Sequence, residues 1–243
     1  MEIKKVGNKG ILFTFYDLNI PSNVYVINGK GYFYIIDTYL GPDIMDKVSQ
    51  YMRTHYEDKQ AVVVNTHNHW DHVWGNCFFP SSIIISHKLC KKNMEKYGDE
   101  ALLEYKDLKR GDVTLTYPNL TFTDEIWFEE DNLYIYYTPG HTNDGISIVD
   151  FEDKVLLAGD NLERPIPYIA SKNLKQYIKT LEDYLKLDVD FIIGGHTACE
   201  DKRLVEDNLD YIKKVSVGDC TEFEKGEYAA NHKCNMEFLK SIE

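Results

Sequence analysis

The chain has 243 residues, 43% of them hydrophobic and 28% charged, with a formal net charge of −13. This length and apolar content exclude a disordered or fibrous polypeptide and are enough for one large α/β domain covering residues 1–243. The negative charge repels a phosphate backbone, so nucleic acid is a disfavoured partner.

The start, Met1-Glu2-Ile3-Lys4-Lys5, leads into polar residues rather than the apolar segment of a signal peptide. No later run approaches the roughly 20 apolar residues of a membrane helix. The expectation is a soluble, cytoplasmic protein with no membrane partner. Ile11 to Tyr16, Val24 to Asn28 and Tyr32 to Asp37 read as short strands, the last two joined by the hairpin signal Asn28-Gly29-Lys30-Gly31. After Gly41-Pro42, the residues Ile44, Val48, Tyr51 and Met52 fall at helical spacing, with Pro42 suited to the first turn. Ala61 to Thr66 is a β-branched run fit for a buried strand. Residues 88–109 are charged and helix-prone, either an inserted lid or a surface helix pair.

In the second half, Leu133 to Thr138, Ser147 to Phe151, Val155 to Ala158 and Phe191 to Gly194 read as strands. Leu174, Ile178, Leu181 and Leu185 mark a helix before the last of them, and Leu204 to Val215 predicts another. Strands and helices alternate in both halves, which points to two packed α/β halves whose loops meet at one edge. Cys77, Cys90, Cys199, Cys220 and Cys234 are odd in number, widely spaced and without a Cys-x-x-Cys pair, so reduced thiols are expected.

The segment that carries chemistry is Asn65-Thr66-His67-Asn68-His69-Trp70-Asp71-His72, directly after the strand Ala61 to Thr66. Three imidazoles and a carboxylate within six residues are too concentrated for core packing. In an extended loop His67 and His69 project to one side, because side chains alternate with period two. Asp71 and His72 can then turn to face a second point, a geometry suited to two metal ions. Nitrogen with oxygen ligands suits zinc, manganese or iron. Three further candidates follow strand-like runs and glycines: His141 in Thr138-Pro139-Gly140-His141, Asp160 in Ala158-Gly159-Asp160 and His196 in Gly194-Gly195-His196. Glycine lets backbone approach a crowded site without a Cβ clash. His55, His87 and His232 lack such a context.

The run His67-x-His69-x-Asp71-His72, followed by His141, Asp160 and His196, resembles the full ligand pattern of the metallo-β-lactamase superfamily over residues 10–200. The resemblance implies a four-layer αββα sandwich with the site along one edge of the two sheets. It also implies that His67, His69 and His141 bind one metal, that Asp71, His72 and His196 bind the second, and that Asp160 bridges both. The implied cofactor is a pair of divalent ions, zinc first, with manganese or iron as alternatives, and no organic cofactor. Asp37 resembles the family's strand-end acid that supports the ligand loop, a role metal sites need.

A hydroxide shared by two ions would then attack a carbonyl, with Asp71 and Asp160 as the catalytic carboxylates. Asp71 and Tyr168 are candidate proton carriers. Trp70 and Asn161 are candidates for the pocket mouth, and Trp74 for packing of the loop. The ligand set is similar to that of glyoxalase II thioesterases and homoserine-lactone hydrolases, so the expected reaction is hydrolysis of a small-molecule ester, thioester or lactone. The chain after His196 is short for the helical domain that holds glutathione in typical glyoxalase II enzymes. A mononuclear-iron persulfide dioxygenase is the main alternative. Phosphodiester or ribonucleic-acid cleavage is a third, disfavoured by the charge. β-Lactam cleavage ranks lower, since those enzymes generally carry a non-bridging residue where Asp160 stands.

Overall fold

The computed structural model describes residues 1–241. Strands β1 (Glu2–Val6), β2 (Gly10–Phe15), β3 (Ser22–Asn28) and β4 (Tyr32–Ile36) form an antiparallel meander. The chain then crosses through α1 (Pro42–His55) to β5 (Gln60–Val64), which lies parallel to β4. A short helical turn, α2 (Trp70–Val73), leads to β6 (Ile83–His87), then α3 (Lys88–Glu104) and β7 (Leu120–Phe122). Parallel pairing of β5, β6 and β7 completes a seven-stranded sheet in chain order.

The second half repeats the plan. Strands β8 (Glu125–Phe128), β9 (Leu133–Tyr137), β10 (Ile146–Asp150) and β11 (Val155–Gly159) are antiparallel. After α4 (Leu174–Tyr184), β12 (Phe191–Gly194) pairs parallel with β11, and β13 (Cys199–Glu200) edges the six-stranded sheet. Helices α5 (Lys202–Val217) and α6 (Ala229–Lys240) close the described chain.

Period-two alternation sorts the side chains into layers. Tyr34, Ile36, Val62 and Val64 face Ile135, Ile148, Leu157 and Ile193 between the sheets. Phe33, Ile35 and Val63 point the other way, onto Ile44, Met45, Val48 and Met52 of α1. On the far side, Val149, Leu156 and Ile192 pack against Tyr177, Leu181, Leu204 and Ile212 of α4 and α5. Both sheets are therefore hydrophobic on two faces, and helices cover the outer ones, which is the αββα sandwich. Each aliphatic side chain buried in these layers contributes about 1.5–3 kcal/mol.

The segment 88–109 resolves into α3 with a following 3-10 turn, Lys106–Leu108. Cys90 and Met94 of α3 pack with Val73 and Trp74, so the helix sits over the ligand loop rather than apart from it. The five cysteines are free thiols. No described helix is long and apolar enough to cross a membrane.

Candidate metal centre

The candidate ligands come from segments that follow strand ends on one edge of the sandwich, five from loops and Asp71 and His72 from the helical turn α2. His67, His69, Asp71 and His72 follow β5, while His141, Asp160 and His196 follow β9, β11 and β12. They gather in two groups, His67 with His69, His141 and Asp160, and Asp71 with His72 and His196. One carboxylate oxygen is common to both. Asp160 Oδ2 lies 3.6 Å from His67 Nε2, 3.8 Å from His141 Nε2, 3.3 Å from His72 Nε2 and 3.6 Å from His196 Nε2. His141 Nε2 is 3.2 Å from His69 Nδ1, and Asp71 Oδ2 is 3.2 Å from His196 Nε2 and 3.9 Å from His72 Nε2.

These spacings fit shared cations. Ligand atoms about 2.0–2.2 Å from a tetrahedral zinc stand roughly 3.3–3.6 Å from one another. The buried atoms His67 Nε2, His72 Nε2 and Asp160 Oδ1 have no hydrogen-bond partner. Such orphaned groups are costly unless something else satisfies them. Glycine makes room for the carboxylate: a Cβ on Gly195 would stand 2.1 Å from Asp160 Oδ1. Gly159 sits at φ +52, where its own Cβ would meet the Thr66 hydroxyl at 2.8 Å.

Residues 19–196 match the metallo-beta-lactamase superfamily. The chain belongs to that superfamily. Among solved structures, the TMB-1 enzyme superposes with a TM-score of 0.72 at 19% identity, over 88% of this chain and 98% of that one. DIM-1 metallo-beta-lactamase gives 0.70 at 18%, over 88% and 97%, and a metallo-beta-lactamase from Pontibacter korlensis gives 0.70 at 18%, over 87% and 98%. At such identity these likenesses show the shared fold. A superfamily domain with two His/Asp clusters is consistent with a metallo-hydrolase.

The superfamily site here is held by a shell of hydrogen bonds that fixes each ring. Asp37 follows β4 at φ +59, a conformation an aspartate tolerates. Its Oδ1 accepts from the Thr66 backbone N–H at 2.7 Å, and its Oδ2 accepts from the Thr66 hydroxyl at 2.7 Å and from His72 Nδ1 at 2.8 Å. The last bond holds the Nδ1 proton of His72 and turns its Nε2 inward, toward Asp160. His141 Nδ1 donates to the Tyr168 carbonyl at 2.8 Å, and His196 Nδ1 lies 3.1 Å from Ser22 Oγ. Behind the ligand loop, Asn65 and Asn76 exchange amide hydrogen bonds at 3.0 and 2.8 Å, both fully buried.

Burial, reinforced by neighbouring imidazoles, pulls His67 well below its ordinary value and His69 down to about 4. Burial also leaves His141 lowered. Burial opposes charge on His72 and His196 as well, but Asp160 and its fellow carboxylates outweigh it. They raise His72 well above the ordinary value and His196 to about 9. Burial likewise resists ionisation of Asp71, yet His72 and His196 hold it at about 2. The field therefore favours positive charge at the second cluster and bare nitrogens at the first.

Of the flanking residues, Trp74 is buried under α3 as loop packing, and Trp70 lines a cavity. Asn161 is not at the mouth: buried, it accepts from the His141 backbone N–H at 2.8 Å and donates to Thr138 and Tyr184. Tyr168 serves through its carbonyl, while its hydroxyl turns away to Asn231 at 3.2 Å. His87 caps α3 and stacks on Tyr137, and His232 bonds to the Tyr211 hydroxyl. Sequence reading missed the Asn65–Asn76 pair, because two separate asparagines carry no periodic signal. It also missed the cavity of about 730 Å³ that opens on His69, walled by α3, the 170–172 segment and α6.

Proposed function

We propose that the chain is a dinuclear metal-dependent hydrolase, with zinc the first candidate metal, that cleaves a small-molecule ester, thioester or lactone. The observation that carries this reading is Asp160 Oδ2, within 3.3–3.8 Å of four imidazole nitrogens drawn from both clusters. A carboxylate in that place is suited to bridge two ions. When bound, such ions supply a Lewis acid for a carbonyl oxygen and water acidified to near neutrality.

The chain's own groups set up the remainder. His67, His69 and His141 present neutral nitrogens, and Asp160 offers an anionic oxygen between the clusters. Asp71, held at about 2, stays ionised across the neutral range and adds an anionic oxygen to the second cluster. The cavity has the volume of a small-molecule site. Its mixture of aromatic and amide walls does not resemble a groove for a polyanion, and the net charge of −13 argues the same way.

The test is metal analysis of protein purified without chelator or metal-affinity tag, followed by an ester, thioester and lactone panel. Close to two zinc or manganese ions per chain, with turnover of a panel member, supports the hydrolase. One iron per chain, with sulfur-dependent oxygen uptake and no hydrolysis, replaces it by persulfide oxidation.

A further inference from the structure

Residue types around the cavity are sorted by charge. Although 40 of the 243 residues are Asp or Glu, none of the described lining residues is acidic, and the one fixed cation there is Lys172 at the rim. The opposite wall is aromatic and aliphatic. The Trp70 ring lies nearly parallel to Tyr105, with centroids 4.6 Å apart and planes at 14°, which makes a rigid flat face. Met94 and Leu115 back it, and Phe238 of α6 adds an apolar patch.

A fixed stretch of backbone joins the metal ligands to Lys172. His141 Nδ1 donates to the Tyr168 carbonyl, and the Ala170 N–H donates to the His141 carbonyl at 2.9 Å. Lys172 thus stands two residues beyond a residue tied to a ligand, and its ammonium donates to the Ser241 carbonyl, a neutral acceptor.

We propose that the cavity selects a substrate with a flat apolar body and a single carboxylate, the body against Trp70 and Tyr105 and the carboxylate at Lys172. The scissile carbonyl then lies at the His69 end. This names the substrate class of the hydrolase and rests on that reading for the carbonyl, though not for the binding. An apolar body gains by leaving water against the rings, and a charge-assisted hydrogen bond to the ammonium fixes its direction. Among the described residues the lining carries no carboxylate to stand directly against the anion. A single cation matches a single charge, so a polyphosphate or dicarboxylate is left partly unpaired.

The experiment is calorimetric titration of the protein as purified, metals in place, with 4-phenylbutyrate and its uncharged amide as unreactive probes. The acid is expected to bind about tenfold or more tightly than the amide, in line with one charge-assisted bond. Lys172→Met should remove that preference, and Tyr105→Ala should weaken both probes several-fold, with circular dichroism checking the fold of each variant. Equal affinities for the two probes, binding of neither, or a Lys172→Met protein that keeps the full preference would overturn the proposal. In the last case the carboxylate sits on the metal centre instead. Binding is read without turnover, so a Lys172-dependent preference in a protein that hydrolyses nothing ends the hydrolase reading alone. Hydrolysis with no such preference ends this one alone.

Discussion

Replacing Asp37 by asparagine keeps the shape of the side chain and reverses one of its hydrogen-bonding faces. Asp37 Oδ2 accepts at once from the Thr66 hydroxyl and from His72 Nδ1, at 2.7 and 2.8 Å. An asparagine can keep the Thr66 backbone bond through its carbonyl, and the hydroxyl can turn to accept. His72 Nδ1 then faces an N–H donor, which drives its proton to Nε2, the atom that points at Asp160 and Asp71. A protonated nitrogen cannot ligate a metal. Losses on changing such an outer partner are about 10–100-fold in metal affinity, or about 1.4–2.8 kcal/mol. The loss should fall on the second cluster, since His67, His69 and His141 do not bond to Asp37. Competition with a chromophoric chelator, read as two successive constants, measures it. Asp37→Ala should in addition lower folding stability by about 3–5 kcal/mol, as removal of one partner of a buried pair does. An asparagine variant that binds both metals with unchanged constants would refute the tautomer argument.

Three further outcomes are expected. His69→Ala or Asp160→Ala should abolish turnover of an identified substrate while circular dichroism stays that of the parent, because the two-sheet core does not depend on either residue. Gly195→Ala should lose metal, measured by mass spectrometry, because its methyl group needs the space held by Asp160 Oδ1. In chelator-treated protein, the raised His72 and His196 give stability that is complete below about 6.5, and the His196 share is lost as pH climbs through about 9. The lowered His69 gives stability that is complete above about 6.5 and lost as pH falls through about 4. The melting temperature of the metal-free protein should therefore peak near pH 6.5, and a flat profile from pH 5 to 9 would contradict the opposed shifts.

Much of the architecture was legible because its elements carry strong periodic signals. β4 and β5 alternate cleanly between two apolar layers, and α1, α4 and α5 bury one helical face each. Unread elements lacked such a signal. β1 is exposed at Glu2, Ile3, Lys4 and Lys5 and exists by pairing with β2. β6 offers only Ile83 to Ile85 as an apolar run and is held by its parallel partner β5. α6 buries polar side chains: His232 meets Tyr211, and Asn235 bonds to Ile169, Pro167 and Tyr211. The candidate positions that the fold brings together were legible because three imidazoles and a carboxylate crowd into His67 to His72, and His141, Asp160 and His196 each follow a glycine at a strand end. Cavity walls were not, since Trp70, Tyr105 and Phe238 come from three distant stretches that only the tertiary fold unites.

The division of the ligands between the two halves makes the site a recognition device for the protein's own assembly. Four of them ride on the first sheet's loops and three on the second's, joined covalently only through the short connection between Phe122 and Glu125. Neither half holds either cluster complete, so a cut in that connection would yield two fragments that each carry only part of the candidate ligand set. Metal uptake by the two clusters would then score whether the halves have docked in register, and misassembled chains would be silent toward it.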